Sequence, residues 1–326
     1  MHIWPTSLIV GCLEGNGCEN FIAFKETVLS KVRPRGAPQS AGLWGIFLLV
    51  SCVFVTGCGV VASPKKGVGA WYFPHVDRAI AEINVSWFYT WQPHTMRITK
   101  PDGVEFVPMI WDETFVEPKQ LQLAKKSGSV LLGFNEPDRT DQANMTVQQA
   151  LDLWPHLMAT GMRLGSPATA ADPSSSASWL EQFMDGAKAR GYRVDFVCVH
   201  WYGQKFDIDG AINRLKNFLL AVHHKFGLPI WLTEYSLIRW SDPPTYPSWE
   251  QQAKFASKSI EMLETLPFVE RYAWFSLPPW MKDGSDRTSL YYEDGDLTPA
   301  GVAYQKGPTT PDAVGTEVPD ETWLEQ

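Results

Sequence analysis

Cysteine is nearly absent from the body of this chain. Four of the five, Cys12, Cys18, Cys52 and Cys58, fall early, and Cys198 stands alone in the remainder. The globular part can therefore close no disulfide of its own. Cys198 lies in the apolar run Phe196-Val197-Cys198-Val199, which suits a buried structural thiol rather than a nucleophile. Runs of lysine or arginine are missing too. The formal charge is -8 and the pI is near 5.4, so nucleic acid is not an expected partner. No Gly-x-Ser-x-Gly elbow, P-loop or Gly-rich turn after the first apolar run occurs, which removes the usual marks of ester, nucleotide and dinucleotide sites. His223 and His224 are adjacent, and neighbours on a helix diverge, so they make no chelating face as an i, i+4 pair would. Neither a metal nor a cofactor is expected.

Long apolar runs are scarce as well, with one exception. Residues 41–62 carry no charge and are long enough to cross a bilayer. Lys25, Lys31, Arg33 and Arg35 precede them, favouring an inside N-terminus and an exported C-terminal domain, although Lys65 and Lys66 on the other flank pull against that orientation. Val55-Thr56-Gly57-Cys58 resembles a bacterial lipobox, in which a lipidated cysteine becomes the new N-terminus. The other reading is a plain signal anchor that stays in the membrane. Either one exports the domain to the extracellular side or the cell surface, anchored by membrane or lipid. Residues 1–40 form a leader whose composition suggests no fold, and a true start inside it, for instance at Val32, is one explanation. Residues 307–326 are rich in Pro, Thr, Asp and Glu and read as a disordered tail.

Between these ends, over residues 67–306, short apolar runs alternate with helical patterns, the signature of βα units and a parallel sheet. Strands are expected at Val68–Tyr72, Val85–Trp91, Phe106–Trp111, Val130–Phe134, Arg163–Ser166, Val194–Tyr202, Pro229–Glu234 and Arg271–Ser276. Helices are expected at Val76–Ile83, Pro118–Lys126, Val147–Thr160, Ser176–Arg190, Ile208–Phe226 and Glu250–Leu266. A short last helix opens at Thr298-Pro299. The segment between the second and third strands shows no clear helical pattern. Eight strands with intervening helices predict an α/β fold of the (β/α)8 TIM-barrel type, expected to act as a monomer.

Two stretches carry the chemistry. Gly133-Phe134-Asn135-Glu136-Pro137-Asp138 and Trp231-Leu232-Thr233-Glu234-Tyr235 are apolar runs that end in a glutamate, at the fourth and seventh strands. Barrel enzymes place their reactive groups at the C-terminal ends of strands. Two carboxyls facing each other there are what glycoside hydrolysis requires; taken singly, each glutamate could equally be a surface or salt-bridged residue. The chain is also rich in aromatics, with 15 Trp, 10 Tyr and 17 Phe. Their flat faces suit sugar rings as well as a large core.

Taken with Val199-His200-Trp201-Tyr202-Gly203, these motifs resemble clan A glycoside hydrolases. Within that clan they look like glycoside hydrolase family 128, the Asl1-like glycosyl hydrolase catalytic core. The resemblance covers roughly residues 67–305 and implies a retaining, endo-acting β-1,3-glucanase whose partner is a β-glucan. It implies Glu136 as general acid/base, Glu234 as nucleophile and Asn135 on the sugar 2-hydroxyl, with a turn-forming asparagine before Glu-Pro as the other reading of Asn135. His200 and Tyr202, of like parity on the sixth strand, would hold the nucleophile or the sugar, with a core histidine as the other reading of His200. Trp274 would be the platform under the sugar, and Trp87 and Trp91, sharing a face of the second strand, would extend the groove. Trp201 and Tyr235 adjoin the site by sequence, with alternation free to turn Trp201 toward the helices and Tyr235 equally suited to packing. Trp240, Trp249 and Trp280 lie on expected loops, where sequence does not decide between subsite and packing. The same machinery on another β-glycan such as mannan, and a non-catalytic glucan-binding surface protein, are the alternatives.

Overall fold

The computed structural model describes residues 62–280 and 285–308. The leader, nearly all of the apolar stretch including Cys58, and residues 309–326 of the tail lie outside the described residues. Eight short strands alternate with helices: β1 (Lys66–Gly69), β2 (Trp87–Tyr89), β3 (Glu105–Phe106), β4 (Val130–Leu131), β5 (Arg163–Leu164), β6 (Val197–Gly203), β7 (Ile230–Leu237) and β8 (Val269–Trp274). The helices are α1 (Val76–Glu82), α2 (Pro118–Ser127), α3 (Val147–Met158), α4 (Trp179–Ala189), α5 (Ile208–Phe226), α6 (Trp249–Glu264) and α7 (Pro299–Lys306). No helix joins β2 to β3, as the sequence pattern suggested. Among the described residues no helix is long and apolar enough to cross a membrane.

Local chemistry explains where the helices begin and end. Thr146 with Gln149 and Ser248 with Gln251 form reciprocal capping boxes at α3 and α6, each satisfying amide groups the helix leaves orphaned. Ser178 caps α4 by accepting from Glu181 N, which is why that helix starts three residues later than the pattern suggested. Gly227 ends α5 in the left-handed conformation at φ 64°, which glycine adopts without steric cost.

The strands β3-β2-β1-β8-β7-β6 form one sheet and β4-β5 another. The named pairings are all parallel. Single parallel bridges, Met109 with Leu132 and Gly165 with Phe196, join the two sheets. Every strand segment therefore has a neighbour on both sides, and the α/β fold takes a TIM-like barrel arrangement.

Alternation along the strands divides the apolar residues into two layers. Val68, Phe88, Leu131, Val197, Val199, Leu232 and Tyr272 point outward and pack under the helices. Trp87, Tyr89, Trp91, Met109, Leu132, Phe196, Cys198, Trp231, Ala273 and Phe275 fill the interior. So many large rings fit because β1 supplies almost no inward bulk: a Cβ on Gly67 would fall 2.2 Å from the Trp87 ring, and one on Gly69 would fall 2.6 Å from Trp91.

Candidate active site

β7 delivers Glu234 to the barrel interior by breaking its own alternation. Trp231 faces inward, so simple period-two geometry would send Glu234 outward. Instead the pairing with β6 steps from Val199–Leu232 to His200–Glu234, leaving Thr233 as an extra residue. This β-bulge resets the parity. Glu234 and His200 then point inward side by side, and Tyr235 turns out to the helices.

Glu136 arrives by a different device. Its backbone N donates to Ala168 O at 2.7 Å, and Asn135 N donates to Trp111 O at 2.9 Å, so the end of β4 is clamped between the segments after β3 and β5. Asp138 adds bonds from Ala170 N (2.9 Å) and Ala171 N (2.8 Å). Glu136 itself sits in the left-handed region at φ 42°, as does Trp91 at 55°. For residues other than glycine such backbone costs about 1–3 kcal/mol and is held by surrounding contacts.

His200 spans the two carboxylates. Its Nδ1 lies 2.9 Å from Glu136 Oε1 and its Nε2 3.5 Å from Glu234 Oε1. Atoms from all three side chains lie within 4.8 Å of one another. Among the described residues this trio is also the group placed to hold a metal ion. Donors already occupy both Glu234 oxygens, however: Trp91 Nε1 donates to Oε1 at 2.8 Å and Tyr202 OH donates to Oε2, while Tyr89 OH stands 3.4 Å from Oε1 and gives its proton to Thr233 O at 2.9 Å. That suits a hydrogen-bonded carboxylate.

The electrostatics follow from burial. Burial pushes the Glu234 carboxyl above the ordinary glutamate value and nearby Glu136 adds to this, while His200 and the Tyr202 and Trp91 donors pull it back. For His200 burial acts downward, yet the carboxylates of Glu234 and Glu136 outweigh it and the net direction is up. Tyr89 and Tyr202 are raised well above their usual range by burial and by Glu234, so both remain protonated donors. Arg139, fastened to Asp141 by bonds of 2.9 and 2.8 Å, stands 3.7 Å from Glu136 Oε2.

Of the residues singled out from sequence, Glu136, Glu234, His200, Tyr202 and Trp91 converge here. Asn135 adjoins them; its amide nitrogen donates to Gln142 Oε1 at 3.2 Å, leaving its buried Oδ1 without a protein partner.

Four aromatic assignments require correction. Trp274 faces the helices, fully buried, with Nε1 donating to Thr288 O at 2.6 Å and its ring against Tyr235 and Phe255. Its inward neighbours are Ala273 and Phe275. Tyr235 is equally buried, turned out by the bulge. Trp201 stacks on Phe255 of α6. Trp87 is inside but deep, its Nε1 on Lys65 O at 3.0 Å and its face beside Arg271, so it forms floor rather than groove.

In their place the structure brings Tyr89, Phe275, Trp71, Trp111 and Trp280 to the interior cluster. Phe275 links the set, 5.9 Å from Trp91, 5.8 Å from Tyr202 and 6.4 Å from Trp280. Tyr89 was recoverable in principle, since it shares parity with Trp87 and Trp91. The loop rings carried no signal separating them from surface packing.

Comparison with known proteins agrees with this geometry. Residues 70–304 match the family described as glycosyl hydrolase catalytic core. An Amycolatopsis mediterranei GH128 (subgroup I) endo-β-1,3-glucanase, solved with one glutamate replaced by alanine and in complex with laminaripentaose, is 49% identical. That match covers 76% of this chain and 100% of the other, with a TM-score of 0.72. A subgroup II endo-β-1,3-glucanase from Sorangium cellulosum is 29% identical over 76% of this chain and 100% of its own, with a TM-score of 0.63. Alkali-sensitive linkage protein 1 of Schizosaccharomyces pombe is 27% identical over 255 residues, 74% of this chain, which spans only 44% of that relative's length.

Proposed function

The chain belongs to the glycosyl hydrolase catalytic core family, and from that premise we propose that it is a retaining, endo-acting β-1,3-glucanase with Glu234 as nucleophile and Glu136 as general acid/base. The observation that carries this reading is the closeness of the two carboxylates that flank His200, one oxygen of each lying within 4.8 Å of the other. Retaining pairs stand about 5–5.5 Å apart, whereas inverting pairs need about 6.5–9.5 Å to admit a water.

In the first step Glu234 attacks the anomeric carbon while Glu136 gives its proton to the departing glycosidic oxygen. In the second, Glu136 takes a proton from water, which attacks the same carbon and releases Glu234. Trp91 and Tyr202 steady the negative charge of Glu234 before attack and receive it again after release. The unpartnered Oδ1 of Asn135 can accept from a sugar hydroxyl. Phe275, Trp71 and Trp280 supply flat walls in place of Trp274.

The substrate assignment draws on the relatives named above, and subsite walls rather than the glutamates decide among β-glycans. The test is turnover by the domain from about residue 62 onward on laminarin, curdlan, mannan and xylan, beside Glu136→Gln and Glu234→Gln. Short laminarioligosaccharides from the parent and their loss in both variants support the proposal. Turnover of mannan alone moves the substrate, and binding without turnover makes the protein a glucan-binding module. We also place the domain outside the membrane, exported through residues 41–62; a processed, lipidated Cys58 in the intact mass supports this and a retained Met1 contradicts the lipobox reading.

A further inference from the structure

Asp286 is 2% exposed, and its partners are amides and a hydroxyl. Its Oδ1 accepts from Thr288 N and Thr288 Oγ1, both at 2.6 Å. Its Oδ2 accepts from Trp280 N at 3.0 Å, and the backbone of Ser289 donates as well. Burial raises this carboxyl and those donors pull it down. An acceptor-only group suits the spot, because the NH₂ of an asparagine would oppose one of the N–H donors.

The same arrangement governs the Trp280 ring. The Thr288 hydroxyl has a single proton, committed to Asp286, so its oxygen can only accept, and the donor it receives is Trp280 Nε1 at 3.1 Å. Asp286 thus fixes Trp280 at both ends, directly at the backbone and through Thr288 at the indole. With its N–H occupied, the ring offers a flat apolar face. It stands 5.6 Å from Trp240 and 6.4 Å from Phe275, which borders the Tyr202 that holds Glu234.

We infer that Asp286 is a positioning residue that, acting through Thr288, holds the Trp280 indole as the wall on which a glucosyl ring beside Glu234 packs. The inference rests on the β-1,3-glucanase reading. A tilted or mobile ring loses face-on contact with the sugar but leaves the glutamates where they are, so the loss falls on binding.

The test measures laminarihexaose binding by calorimetry, together with kcat and KM on laminarin, for Thr288→Val, Thr288→Ser, Asp286→Asn and Trp280→Ala. Thr288→Val keeps the shape and removes the acceptor. It is expected to weaken binding and raise KM about five- to tenfold, the scale of one aromatic contact, with kcat changing much less. Thr288→Ser restores the parent values, and in a Trp280→Ala background Thr288→Val adds nothing. Should Asp286→Asn fail to fold, the Val and Ser pair still decides. Parent-like binding by Thr288→Val, or a loss that adds fully to that of Trp280→Ala, overturns the inference while leaving the glucanase reading intact. A parent that neither binds nor cleaves β-1,3-glucan removes both.

Discussion

Replacing Tyr202 with Phe removes one oxygen and keeps the ring that packs edge-on against Phe275 at 5.8 Å and Trp240 at 5.2 Å. What is lost is the hydrogen bond to Glu234 Oε2. A bond to a charged acceptor contributes about 1.5–3 kcal/mol, and about 1.36 kcal/mol corresponds to one pKa unit. Because Trp91 at 2.8 Å still serves Oε1, the lower end applies, about one unit. The sign is fixed by which form the donor favours. Tyr202 favours the carboxylate, so its removal raises the Glu234 pKa further above the ordinary glutamate range, where burial already holds it. In the proposed mechanism Glu234 must be ionised to attack. The acidic limb of kcat/KM against pH, which reports the free enzyme, should therefore move up by about one unit in Tyr202→Phe. Trp91→Phe should move it the same way. The assay is initial rate on soluble laminarin at low substrate across the pH range. A limb that stays in place while activity falls uniformly would refute the reasoning, since the hydroxyl would then act on the sugar alone.

Two further outcomes follow from burial. Glu234→Gln should stabilise the fold near neutral pH by about 1 kcal/mol, roughly 2–4 °C in Tm, because it removes a buried charge. Burial holds the folded-state pKa of Glu234 above the ordinary glutamate value, so the parent loses stability as pH rises through that window. The gap in melting temperature should widen with rising pH and close in acid; a constant gap counts against it. Trp87→Phe should cost about 1–3 kcal/mol, through a lost hydrogen bond and a partial cavity, and leave kcat/KM close to the parent value. A large loss of activity at unchanged Tm would return Trp87 to the groove.

The strand order and the two glutamates were legible because each depends on local pattern: an apolar run of strand length that stops at an acid. Side-chain direction was less so. Period-two alternation from Trp231 sends Glu234 to the wrong face, and only the extra residue at Thr233 corrects it. That bulge follows from pairing with β6, between segments some thirty residues apart, and leaves no local trace. The same bulge turns Tyr235 outward. At β8 the error was one residue: Trp274 looked like the platform by its place in the motif, yet Ala273 and Phe275 share the inward parity. Tyr89 went unremarked because a tyrosine in mid-strand reads as core, whereas here its hydroxyl lies within 3.4 Å of Glu234. The Trp280 wall depends on Asp286 and Thr288, which look like an ordinary turn until the hydrogen bonds are traced.

The proposed mechanism has Glu234, beside His200 and Glu136, attack the sugar directly, and the stereochemistry of the first product reports this most directly. Proton NMR during the earliest turnover of laminarihexaose should show the β-anomer of the new reducing end first, with the α-anomer growing only by mutarotation. Initial release of the α-anomer would mean that water attacks in a single displacement, and the assignment of Glu234 as nucleophile would fall.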